Sequence, residues 1–161
     1  MVTLVLPSDI TNQIERALVR SGRYEVGGVL MAEHVGPNEF VVREITVHRR
    51  GAFALFWRKM EEAMTALQRF FARTEQDYTR FNYIGEWHSH PSFDPLPSSR
   101  DHESMYEIVS DAIVGANFVV LVIVKLQEEG FLTGSAHSYL PDGTVELSRL
   151  VVQRDHVTVA T

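Results

Sequence analysis

Two histidines separated by one residue, His88 and His90, carry the strongest chemical signal in the sequence. In a strand, alternate side chains point to the same face, so both imidazoles can serve one point. Asp101 follows Ser98-Ser99-Arg100 at the start of a predicted helix, after a loop long enough to fold back. Two neutral ring nitrogens and one carboxylate oxygen are a familiar zinc set. Three protein ligands leave a fourth tetrahedral position for water, the mark of a catalytic rather than a structural site. The chain has no cysteine among its 161 residues. That removes disulfides, thiolate nucleophiles, Fe–S clusters and Cys-based zinc sites together, so a catalytic metal must be held by His, Asp or Glu.

Each part also has a plain structural explanation. A His-x-His pair arises by chance in many chains, and half-buried histidines often only satisfy a carbonyl. Asp101 can serve simply as an acid in the first turn of a helix, where the dipole favours it. Asp94 is nearer in sequence and competes with Asp101 for the third ligand position. Glu86 lies on the His88 face of the same strand, either supporting the site or facing solvent. His102-Glu103 does not open a His-Glu-x-x-His helix, because residue 106 is Tyr. His34, His48, His137 and His156 are isolated and read as ordinary polar residues.

The elements that must position these groups follow from periodicity and turn chemistry. Ser8 is placed to N-cap a helix carrying Ile10, Ile14, Ala17 and Leu18, which Gly22 ends. Tyr24–His34 and Phe40–Val47 read as a hairpin around Gly36-Pro37-Asn38. The apolar stripe Phe56, Met60, Ala63, Met64, Leu67, Phe70 and Phe71 predicts a helix over 56–76, with Arg58, Glu61, Glu62, Arg69 and Arg73 towards water. Phe81–His88 is a strand with Tyr83, Ile84 and Trp87 to bury, Trp87 opposite the histidines. Pro91, Pro95 and Pro97 make the next segment a loop. A helix from Ser99 or Arg100 to about Ala112 precedes a meander of strands over 118–126, 131–139 and 145–152, and the last nine residues read as frayed or edge-paired. This order gives an α+β fold, a mixed β-sheet with helices packed on it, in a single domain over 1–161 with its core at about 8–150.

The bulk properties narrow the classes further. The formal charge of −6 argues against a nucleic-acid partner. The N-terminus lacks the basic and apolar regions of a signal peptide, and the longest apolar run, Phe118–Val124, is far short of the ~20 residues of a membrane span. A cytoplasmic location with no membrane partner is the expectation. Phosphate-binding Gly-x-x-x-x-Gly-Lys-Ser/Thr, dinucleotide Gly-x-Gly-x-x-Gly and Gly-x-Ser-x-Gly nucleophile motifs are absent from the sequence.

His88-Ser89-His90-Pro91, six residues, then Ser98, two residues and Asp101 resembles the motif of the JAB/MPN-type (JAMM) zinc metalloproteases. Glu25-Val26-Gly27-Gly28-Val29-Leu30 resembles that family's upstream Glu-x-Gly-Gly-x-Leu strand, and Gly85 fits its approach to the histidine pair. The resemblance covers about residues 8–150 and implies an MPN/JAB-like (cytidine-deaminase-like) fold. It also implies one Zn²⁺ per chain on His88, His90 and Asp101, with Glu25 and Ser98 as catalytic residues. Glu25 would serve as general acid–base, an assignment that rests on the resemblance alone, and Ser98 as hydroxyl donor to the oxyanion. Gly27 and Gly28 read plainly as sites of close backbone packing.

The activity implied is a peptidase or isopeptidase that cuts after the C-terminal glycine of a ubiquitin-like or otherwise conjugated protein, for deconjugation or maturation. With few insertions, the chain resembles the stand-alone prokaryotic members. These often accompany E1- and E2-like proteins in bacterial antiphage conjugation systems, or sulfur-carrier proteins. The alternatives are sulfur-carrier processing, a non-catalytic scaffold, and a DNA-repair-associated relative. The intact ligand set opposes the scaffold, and the acidic charge opposes the DNA-repair relative.

Overall fold

The computed structural model describes residues 1–49 and 54–155, with only the backbone of 54–60. The described elements are β1 (Thr3–Leu6), α1 (Ser8–Ser21), β2 (Val26–Gly36), β3 (Glu39–Ile45), β4 (His48–Arg49), α2 (Ala54–Arg73), β5 (Phe81–Ser89), α3 (Ser99–Ser110), β6 (Val119–Leu126), β7 (Leu132–Tyr139) and β8 (Val145–Val152). The strands form one mixed sheet in the order β3-β1-β8-β7-β6-β5-β2-β4. Because β3 pairs with both β1 and β2, the sheet closes on itself, and β4 extends beside β2. This closure is not visible in the linear pattern, since it depends on β1, a four-residue strand that the sequence reading leaves out.

Local chemistry accounts for most boundaries. Gly22 ends α1 at φ 55°, a conformation that costs glycine little. The N-cap of that helix is Pro7 rather than Ser8, which sits inside the first turn without a side-chain cap. Proline suits this position because its extended backbone feeds the first turn. In α2, Phe70 is buried, Ala63, Leu67 and Phe71 are half-buried, and Met64 is exposed. The predicted stripe therefore covers the sheet only partly. The side chains of Phe56, Arg58 and Met60, together with His156, lie outside the described residues.

The buried strand β6 divides the interior. Val120, Val122 and Val124 join the larger core with Leu4, Leu6, Ile10, Ile14 and Trp87, on the side covered by α1. Val119, Leu121 and Ile123 join the smaller core with Met105, Val109 and Tyr139, on the side covered by α3. Apolar residues on both faces are the pattern of a strand packed on both sides. Each fully buried aliphatic side chain contributes roughly 1.5–3 kcal/mol before entropy is counted.

One irregularity decides the site. The β2–β5 register shifts between Leu30 and Met31, so that Leu30 faces Gly85 and Met31 faces Tyr83, with Ile84 left between them. Ile84 and Trp87 then enter the same core although strict alternation would separate them. Gly85 adopts φ +147°, and a Cβ there would lie 1.9 Å from the Val120 carbonyl oxygen. Past this bulge Trp87 pairs with Val122 on the α1 side, and His88 pairs with Ile123 on the α3 side.

Candidate metal centre

His88 and His90 stand at the end of β5, both buried. The His90 N–H donates to the Val124 carbonyl at 2.9 Å, extending the β6 pairing past the last residue of the strand. Gly27 pairs with His88, and a Cβ on Gly27 would come within 2.3 Å of the Trp87 carbonyl oxygen and 2.8 Å of the His88 Cβ. Glycine is required there by close approach. Gly28 meets the same constraint from Thr46, whose carbonyl oxygen would lie 2.0 Å from an added Cβ. Both glycines therefore have the plain packing role read from the sequence. Thr46 also accepts the Trp87 Nε1–H at 2.9 Å on its carbonyl, fixing the indole beneath the histidine strand.

Asp101 arrives from α3 by a capping box. The Ser98 hydroxyl accepts the Asp101 backbone N–H at 3.3 Å, while Asp101 Oδ2 accepts the Ser98 backbone N–H at 2.9 Å and its hydroxyl at 2.7 Å. These bonds hold one carboxylate oxygen and turn the other, Oδ1, to His88 Nε2 at 3.3 Å. The plain reading and the functional one thus coincide in Asp101: it caps the helix and joins the histidines. Burial alone would raise its pKa, but hydrogen bonds from His88 and Ser98 outweigh that and hold the carboxyl well below the usual range.

The three donors converge. His88 Nε2 and His90 Nε2 are 3.1 Å apart, and His90 Nε2 lies 3.8 Å from Asp101 Oδ2. Ligands bonded to one tetrahedral ion at ~2.0–2.1 Å stand about 3.3 Å from one another. The spacing therefore fits one small cation, and these three residues could hold it. His90 Nδ1 lies 3.0 Å from the Asp94 carbonyl oxygen. A carbonyl can only accept, so Nδ1 carries the proton and a neutral His90 keeps the Nε2 lone pair for a ligand. Asp94 thus acts through its backbone. Its side chain is exposed and is not in the converging group.

Glu25 is half-buried and leads into β2, two residues before Gly27. The Val26 N–H that follows it donates to Ser89 Oγ at 3.1 Å, tying this end of β2 to the histidine strand. Ser98 is exposed, so the rim residue of the cap remains accessible. Glu86 is half-buried on the α3 side, where it pairs with Leu121. Burial and its charge together push the Tyr83 hydroxyl well above the usual range.

Residues 7–135 match the family described as prokaryotic homologs of the JAB domain. The chain belongs to that family. A solved relative in fold is protein DSY2949 from Desulfitobacterium hafniense, a solution structure that aligns over 98% of this chain and 99% of its own with a TM-score of 0.62 and 14% identity. The search of curated proteins finds no significant match to this chain. No helix among the described residues is long and apolar enough to cross a membrane.

Some residues near the candidate centre of this JAB domain stand out little in the sequence. Ser135 lies in the same cross-strand row as His88 and Ile123. Its hydroxyl donates to the Pro95 carbonyl at 2.5 Å and meets His137 Nε2 at 3.1 Å. Burial, reinforced by the nearby His102, keeps the His137 pKa below its ordinary value. His48 pairs with Gly27 in β4 and meets Glu62 of α2 at 3.0 Å through Nδ1, while its buried Nε2 has no hydrogen-bond partner among the described residues. His48 reads as ordinary because Glu62 lies on another element, and His137 because its neighbour Ser135 gains meaning only through Pro95, forty residues away. The strand parity of His137 is the one available signal, and it is visible only once β7 is registered on β6.

Proposed function

We propose that this JAB-domain protein is a zinc-dependent peptidase or isopeptidase that cuts after the C-terminal glycine of a ubiquitin-like or otherwise conjugated protein. The observation that carries the reading is the convergence of His88 Nε2, His90 Nε2 and the Asp101 carboxylate at 3.1 to 3.8 Å. A Zn²⁺ held there would lower the pKa of water towards ~7 and polarise the scissile carbonyl. Glu25 would take a proton from the attacking water and return it to the leaving amine, with no covalent acyl-enzyme. The Ser98 hydroxyl donates to Asp101 Oδ2 in the free protein. To serve the oxyanion it would turn from that bond, and the Ser98 backbone N–H would keep Oδ2 in place. Neither nucleic acid nor a membrane is a partner in this scheme.

Substrate choice follows from sterics as well as resemblance. The reacting carbonyl must come within ~3–3.5 Å of its nucleophile. Side chains on the residue that carries it would press against the end of the Glu25 strand and the Ser92–Ser98 loop, so glycine is favoured there. An extended tail can also add its backbone to a strand edge. The biological setting proposed is bacterial conjugation of the antiphage type, with E1- and E2-like neighbours.

The test joins metal and substrate. Protein purified without added zinc should hold about one equivalent, and a His88→Ala/His90→Ala double variant none; equal content in both sinks the centre. A ubiquitin-like domain fused through its terminal glycine to a reporter should be cut after that glycine, with Val or Phe in its place slowing cleavage strongly. Indiscriminate digestion of unfolded casein would overturn the deconjugase reading. Cleavage confined to a sulfur-carrier fusion would move the assignment to carrier processing, and binding without cleavage in the zinc-loaded protein would move it to a scaffold.

A further inference from the structure

The loop that joins β5 to α3 carries two consecutive carbonyls with different partners. The Asp94 carbonyl accepts His90 Nδ1–H at 3.0 Å and the Leu96 N–H at 2.8 Å, which closes a tight turn around Pro95. The Pro95 carbonyl accepts the Ser135 hydroxyl at 2.5 Å. Proline has no N–H to offer, so Pro91, Pro95 and Pro97 cannot fasten this loop by backbone donation. The Asp94 and Pro95 carbonyls supply two of its fastenings.

Ser135 is well placed for the second. It pairs with Ile123, which pairs with His88, so the three side chains share one face across neighbouring strands. Strands lie ~4.8 Å apart, which puts the Ser135 backbone about 10 Å from that of His88. The hydroxyl has one proton, and the Pro95 carbonyl takes it. The 3.1 Å contact with His137 Nε2 must then be donated by the imidazole. His137 thereby holds the serine rotamer. The order of donation is His137 to Ser135, Ser135 to Pro95, and, one residue back along the chain, His90 to Asp94.

We infer that Ser135, held by His137, is a positioning residue that fixes the Asp94–Pro95 turn and so sets the aim of the His90 imidazole. The inference rests on the reading of His88, His90 and Asp101 as a metal centre. Partners that orient a ligating histidine typically change metal affinity 10–100-fold when removed, and Ser135 acts one link further out.

The experiment is Co²⁺ titration of the full chain, read by ligand-field absorption and by competition with a chelator, alongside thermal unfolding of the metal-free protein. Ser135→Ala should weaken Co²⁺ binding by about tenfold, at the lower end of that range, and change the ligand-field bands, while the metal-free midpoint stays put. Ser135→Thr, which keeps the hydroxyl, should restore both affinity and spectrum. His137→Leu should give a smaller loss in the same direction, and His137→Gln, which can still donate, should recover it. Wild-type affinity and spectrum in Ser135→Ala would overturn the inference. So would an equal loss in Ser135→Ala and Ser135→Thr with a lowered metal-free midpoint, which would assign the residue to packing. Failure of the wild-type chain to take up Co²⁺ would overturn the metal centre itself, and the inference with it.

Discussion

Two buried carboxylates in this protein are stabilised in opposite ways. Glu33 on β2 lies between Arg43 and Arg80, accepting each Nε–H at 2.7 Å on a different oxygen. Asp101 on α3 is as deeply buried, but it stands with two imidazoles and its own helix cap. The guanidinium groups are always charged, so the Glu33 cluster carries its countercharge within the fold. Imidazole nitrogens are common metal ligands, so the Asp101 cluster is one that could hold an external cation. Similar burial thus goes with fixed countercharges in one region and with a possible metal-holding group in the other. A third carboxylate, Glu25, is half-buried and lies outside the converging ligand group.

The comparison is broken most sharply at Asp101. Asp101→Asn keeps an oxygen acceptor for the Ser98 donors, so the cap should survive with a stability loss of about 1 kcal/mol or less. Bound zinc and cleavage should both be lost, as read by metal analysis and the fusion-protein assay. A variant that keeps stoichiometric zinc but unfolds readily would place Asp101 with Glu33 as a structural group.

Glu25→Gln should give the next largest change. Turnover is expected to fall about 10²–10⁴-fold, while zinc content and unfolding midpoint remain those of the unmodified chain. Near-normal cleavage by the folded, zinc-loaded variant would remove Glu25 from the chemistry.

Glu33→Gln should show the smallest effect, and only in stability. Burial would raise the Glu33 pKa, but hydrogen bonds and charge from Arg43 and Arg80 prevail and lower it. A lowered pKa means that the folded state binds its proton later than the unfolded chain on acidification. The stabilisation is therefore complete above the ordinary glutamate range and disappears as pH falls through the folded value. Both arginines are half-exposed, so screening limits the cost of Glu33→Gln to about 1–2 kcal/mol at pH 7. Denaturant unfolding should show the gap between variant and unmodified chain closing below about pH 4, where the ordinary carboxylate is protonated. An unchanged gap at low pH would show that Gln fails by shape and not by charge.

Much of this was legible because it is local. The hairpin at Gly36-Pro37-Asn38 is there, with Asn38 at φ 56°. The start of α3 at Ser99 follows from a cap whose two members are three residues apart. The strand over 145–152 matches its predicted bounds. Elements that depend on remote partners were not legible. β1 and β4 are four and two residues long, too short for a period to show, and exist only by pairing with strands far along the chain. The α2 stripe is a true helical period, yet Met64 remains exposed, because a period fixes a face but not the extent of the surface that covers it.

The candidate site divides in the same way. Residue types and spacing by themselves determined that His88 and His90 share a face and that Asp101 opens a helix, because both are properties of a few consecutive residues. The sequence alone left Asp94 and Asp101 as competing ligands. Tertiary structure brings one of the two carboxylates to the histidines: the Ser98 cap turns Asp101 to His88, while Asp94 meets His90 through its carbonyl. It also decided which face the histidines occupy, through the bulge at Ile84 and Gly85 that sends Trp87 to one core and His88 to the other. Finally, it brought Ser135, with His137 beside it, to the loop from a strand some forty residues away. Such contacts depend on the register between strands, which is set by the packing of the whole sheet and is written in no local stretch of sequence.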